Sequence, residues 1–177
     1  MSSLRFVRAS SLVIFGAACF ALAACDNPNP GTPLGTFAVT SALTANSCGS
    51  DVAAPDPGSF GVTLSNDQGV VYWFPDTGGS SASGGLSASH SVSISEVVAD
   101  SVGATTDGGA SPCTLERADT LSFTLSSATS PSSFSGSYDF TVSALSGSSC
   151  TSQLASAGGG YVQLPCTVTY SMTGTRQ

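Results

Sequence analysis

From residue 35 onward, apolar side chains recur at every second position, and no long stretch carries the 3.6-residue stripe of a helix. Phe37, Val39 and Leu43 share one parity in "GTFAVTSALTA", and Phe60, Val62 and Leu64 do so in "SFGVTLS". "NDQG", Asn66 to Gly69, follows as a four-residue hairpin loop with glycine placed for positive φ, and "VVYWFP", Val70 to Pro75, returns as the next strand. A short, weak strand is expected around Ser80 to Leu86. His90, Val92 and Ile94 alternate in "SHSVSISEVV"; Leu115, Leu121, Phe123 and Leu125 alternate in "CTLERADTLSFTL". Phe134, Tyr138, Phe140, Val142 and Ala144 line one face of "FSGSYDFTVSAL", and Val162, Leu164, Cys166, Val168, Tyr170 and Met172 one face of "YVQLPCTVTYSM". Each strand thus has a buried and a wet face, the mark of antiparallel sheet.

Seven such strands, or eight with the weak one, must bury their apolar faces on each other. An all-β domain over residues 35–177 is predicted. Its consecutive hairpins favour an antiparallel up-and-down barrel of about eight strands, with a two-sheet β-sandwich as the alternative. In strand count and size this resembles the lipocalin-type barrel, which implies an interior able to take a small apolar or amphipathic molecule. The Gly-x-Trp signature of lipocalins is replaced here by "GTF".

The chain before the domain reads differently. Met1 to Arg8 carries Arg5 and Arg8 and no acid, and Ala9 to Ala24 is apolar or small and uncharged. That is a secretory signal, too short for a comfortable bilayer span. It ends in Leu22-Ala23-Ala24-Cys25, which resembles the lipobox of bacterial lipoproteins at every position. The resemblance implies that residues 1–24 are removed and that the Cys25 thiol and its new amine are acylated. One acyl chain anchors only marginally, at ~0.8 kcal/mol per buried CH₂, so several chains on one residue make a stable anchor. Residues 25–34, with "DNPNPGTPL" after the cysteine, read as a proline-rich tether. The resulting location is extracytoplasmic. It is the periplasmic face of the inner membrane, towards which Asp26 points by the enteric sorting rule, or the outer membrane or cell surface.

Charge narrows the partners. Residues 25–177 hold all eleven acids but, of the basic residues, only Arg117 and Arg176, a net charge of −9. Such a body repels nucleic acid and anionic lipid surfaces. Charged residues are 8% of the chain against about 25% in ordinary soluble domains, so Ser, Thr, Gly and Asn must cover much of the surface.

Cys48, Cys113, Cys150 and Cys166 remain after Cys19 and Cys25 are assigned to signal and anchor. An even number in an exported domain reads as two disulfides, and the absence of any C-x-x-C pair speaks against a zinc site. Counting strands alternately down and up puts all four cysteines at one end of the barrel. The expected pairs are Cys48–Cys113 and Cys150–Cys166.

Candidate chemistry is sparse. The chain has no lysine and one histidine, His90, which removes Schiff-base chemistry, phosphate loops and multi-histidine metal sites. His90 reads as a strand residue bonded to a neighbouring hydroxyl sooner than as the base of a serine nucleophile. "DSVGATTDGG", Asp100 to Gly109, lacks calcium-loop spacing. No enzyme activity, cofactor or metal is expected. Arg117 and Asp119, two apart in "LERADT", share a parity with Leu115 and Leu121. They either hold a ligand's polar head inside the barrel or form an exposed ion pair at a bend. Tyr72 and Trp73 face opposite ways, so one is core and the other a contact or rim residue. Two functions follow. The barrel binds a small apolar or amphipathic ligand, with Arg117 and Trp73 as candidate contacts, or it is filled by its own side chains and meets an envelope protein.

Overall fold

The computed structural model describes residues 29–52, 58–78, 80–102 and 113–177. The expected signal and lipobox, with Cys25, lie outside the described residues, as does most of Asp100–Gly109. The strands are β1 (Thr32–Asn46), β2 (Gly58–Asp67), β3 (Val70–Pro75), β4 (Ala82–Leu86), β5 (Ser91–Val102), β6 (Cys113–Leu125), β7 (Ser133–Ala144) and β8 (Cys166–Arg176). They pair in chain order, all antiparallel, and β8 returns to pair with β1, closing a barrel. The up-and-down barrel is therefore the fold, not the sandwich.

The periodicity sorts inside from outside. Phe37, Val39, Val62, Leu64, Val71, Val92, Phe123 and Phe134 are buried among themselves. The opposite parity carries hydroxyls that bond across strands, Thr40 to Thr173 at 2.9 Å, Ser91 to Thr124 at 3.1 Å and Thr141 to Thr167 at 3.1 Å. These cross-strand pairs give the outer face its polarity with few charges. An apolar interior under a hydroxylated exterior is the reverse of a bilayer-spanning barrel, whose lipid-facing band is apolar.

The two ends differ. At one end the connections are short turns. Gln68 (φ 52°) and Gly69 (φ 88°) join β2 to β3, and Asn66 Oδ1 accepts from the Gly69 amide at 2.9 Å. The ladder runs on to Asp67–Val70, so the expected four-residue loop is a tighter two-residue turn. Below these turns lies an aromatic core, with Phe134 5.5 Å from Phe37, 5.3 Å from Phe123 and 5.7 Å from Trp73 between ring centroids. Gly174 makes room for it, since a Cβ there would stand 2.1 Å from Cε1 of Phe134. At the other end, hereafter the cysteine end, the long β7–β8 connection carries two single-turn 3-10 helices, Thr151–Gln153 and Ala155–Ala157.

All four cysteines do meet at that end, but the pairing corrects the expectation. The disulfides are Cys48–Cys166 and Cys113–Cys150, with Cα separations of 4.9 and 4.8 Å, in place of Cys48–Cys113 and Cys150–Cys166. Sharing an end is insufficient, because strand register decides which two cysteines come within bonding reach. Closure puts β8 beside β1, with Asn46 opposite Val168, so Cys48 reaches Cys166. β6 adjoins β7, with Leu115 opposite Ala144, so Cys113 reaches Cys150.

Three further boundaries differ from expectation. β1 starts at Thr32 and Leu34 is buried, because a register shift between Pro33 and Gly35 carries the end of the expected tether into the wall. β8 starts at Cys166, and Val162, expected inside, is exposed in the connection, where its amide bonds the Cys48 carbonyl at 2.7 Å. His90 lies in the β4–β5 turn at φ 63°, one residue before β5.

Candidate functional site

The interior is not filled throughout. Between the aromatic core and the cysteine end lies a cavity of about 690 Å³, within the roughly 300–1,000 Å³ range of small-molecule sites. Its floor is the upper layer of the core, Trp73, Ile94 and Met172, and its walls include Phe60, Leu121, Tyr138 and Tyr170. It opens past Ser59, Pro75 and Ser80, where β2 begins and β3 ends.

The opening has a structural cause. β4 is only five residues long, and it meets β5 through two register pairs, Gly85–Ser93 and Leu86–Val92. Beyond Ser93, β5 continues to Val102 paired with β6 alone among the described strands. The wall is thus incomplete beside the cavity, and Glu96 stands there, exposed and lining it.

Trp73, one of the two expected ligand contacts, is 7% exposed and forms part of the floor. Arg117, the other, shares the inward parity in mid-strand but does not line the cavity. Its guanidinium is taken up from three sides. Nε donates to Asp119 Oδ1 at 3.0 Å, Nη2 donates to the Tyr138 hydroxyl at 2.5 Å, and the group lies 4.1 Å over the Phe140 ring. The Tyr138 hydroxyl in turn donates to Asp119 Oδ1 at 2.5 Å. Arg117 therefore acts on the cavity through Asp119 and Tyr138, which it holds and both of which line it. The bend is absent, since both residues lie within β6, but the ion pair is present: Arg117 bridges Asp119 at 2.9 Å with its side chain 46% exposed.

Burial opposes the charge on Arg117, but the hydrogen bond to Asp119 and the nearby negative charge outweigh it and raise its pKa. Burial and, next, the bond donated to Asp119 push the Tyr138 phenol up to about 12. The folded protein holds this proton more tightly than the unfolded chain, where a phenol titrates near 10. The stability it contributes is intact below pH ~10 and is lost as pH rises through about 12. A tyrosinate absorbance titration is expected to show a late phase near that value that disappears in Tyr138→Phe; a late phase surviving the substitution contradicts the assignment.

Sequence reasoning missed Glu96 and Tyr138. Glu96 continues the parity of Val92 and Ile94 and faces Asp119 directly across the β5–β6 ladder. Tyr138 pairs with Leu121, which leaves its ring diagonal to Asp119 and within reach of it. Among the described residues, no three His, Cys, Asp or Glu side chains converge as a metal site would require.

Comparisons of the chain with protein-family models, with curated proteins and with solved structures find no match.

Proposed function

We propose that the protein is an exported lipoprotein, anchored through Cys25, whose barrel binds a small amphipathic molecule and catalyses no reaction. The observation that carries the ligand reading is the apolar, open cavity of about 690 Å³ in a barrel otherwise packed by its own side chains. The two disulfides suit an oxidising, extracytoplasmic compartment. The exterior is largely hydroxylated and the body acidic, so membrane attachment falls to the lipobox cysteine and its acyl chains.

The competing reading is a surface-interaction domain without a small ligand. It is favoured by Val97 and Val98, 63% and 49% exposed on the part of β5 that runs past β4. A neutral fluorophore such as N-phenyl-1-naphthylamine separates the two. Saturable binding with energy transfer from Trp73, abolished by the cavity-filling Ala82→Phe/Ser41→Phe variant, is expected of the carrier. Emission that never saturates, or that ignores the filling substitutions, favours the interaction domain. The anchor is tested separately: Cys25→Ser is expected to abolish palmitate labelling and release the protein from membranes, and retention of both contradicts it.

A further inference from the structure

We infer that the cavity selects amphiphiles with a cationic head, an amine or quaternary ammonium on an apolar body; this rests on the ligand reading above and specifies its chemistry. The charges at the site are the first ground. Glu96 and Asp119 are directly opposite in the β5–β6 register, so their Cβ atoms are about 5 Å apart. Like charges so placed destabilise a sheet unless a positive group joins them. Arg117 does so for Asp119 alone, through a bridge of 2.9 Å. Among the described residues, Glu96 has no hydrogen bond or ion pair, and it stands at the cavity mouth. The site carries one uncompensated negative charge where a ligand enters.

The second ground is that the one cation near the site, Arg117, is already bonded to Asp119 and Tyr138 and does not line the cavity, so among the described residues no other positive group meets an anionic head. The other described basic side chains are remote: Arg176 pairs across from Phe37 and donates to Ser130 Oγ at 3.3 Å, and His90 sits in the β4–β5 turn. Both belong to the short-turn end. With a net charge of −9 over residues 25–177, the body also repels fatty acids and phospholipid phosphates as they approach.

The third ground is independent of the carboxylates. Tyr138 and Tyr170 line the cavity above its Trp73 floor, and aromatic rings attract cations through their negative faces. The head is therefore held at the mouth by Glu96 and flanking rings, while the tail lies against Trp73, Ile94 and Met172.

The test titrates the purified protein with octyltrimethylammonium, 1-octanol and octanoate, each below its micelle threshold, following emission of Trp73, the single tryptophan. The cationic probe is expected to bind at least about tenfold more tightly than either of the others. Glu96→Gln is expected to bring it within about threefold of octanol, and Glu116→Gln, which removes the same charge from the outward parity of β6, to leave the preference intact. Octanol or octanoate binding as tightly as the ammonium overturns the inference while leaving a ligand cavity in place. A preference that survives Glu96→Gln overturns it as well. If none of the three probes perturbs Trp73, the ligand reading fails along with it.

Discussion

Replacing Cys48 and Cys166 together by serine is expected to destabilise the barrel more than any other pair of conservative changes. This disulfide closes a loop of 118 residues, for which chain entropy in the unfolded state gives about 5 kcal/mol. Cys113–Cys150 spans only 37 residues, for which the same relation gives about 4 kcal/mol. The difference is small because the dependence on loop length is logarithmic. The position of the first bond adds to its effect. It ties β1 to β8, the pairing that closes the ring, so opening it frees the seam between the two ends of the chain. Denaturant midpoints of the two double-serine variants measure the effect, with the Cys48/Cys166 variant expected to unfold first. A loss below about 1 kcal/mol, or the reverse order, contradicts it. Peptide mapping under non-reducing conditions tests the pairing itself, which should yield Cys48 joined to Cys166 and Cys113 joined to Cys150.

The second large effect is expected at Phe134. Its ring touches Phe37, Phe123 and Trp73, and it occupies the space that the missing side chain of Gly174 leaves. Truncation to alanine removes contacts with all four partners and opens a cavity that strand backbones cannot close. A cost of about 3–5 kcal/mol follows, or a fall of roughly 10 °C in Tm for a domain of this size. The emission of Trp73 should shift to the red as its neighbour is lost. A Tm within about 2 °C of the parent would mean that this aromatic layer does not organise the core.

Most of the barrel was legible because a strand with one wet face writes its orientation as alternation. Phe37, Val39, Val62, Leu64, Phe123 and Phe134 all point inward as their parity requires. Alternation fails where the backbone departs from regular pleat. The register shift after Pro33 hides Leu34 inside what reads as a tether. Pro165 ends the apolar run of Val162 and Leu164 before β8 begins. His90 continues the parity of Val92 yet turns through a left-handed conformation. β4 reads weakly because Gly84 lies against Ser93, whose carbonyl oxygen would be 2.2 Å from a Cβ, so no apolar side chain marks that position.

The site was harder to read for a different reason. Arg117 and Asp119 announce a charged pair on the inner face, but their roles depend on which residues β5 and β7 bring opposite. Those registers pair Glu96 with Asp119 and Leu121 with Tyr138, residues far apart along the chain. Glu96 has the inward parity, but an acid following an apolar run reads as surface. Disulfide pairing has the same character. The end of the barrel follows from counting strands, whereas the position around the ring follows only from closure.

A cavity that serves a carrier is occupied in the cell. Native mass spectrometry of the protein isolated from cells tests this directly. A bound small molecule, present in one copy and absent from the Ala82→Phe/Ser41→Phe variant, is the expected result. A bare polypeptide mass from protein with an intact fold, or an adduct that persists once the cavity is filled, would contradict it.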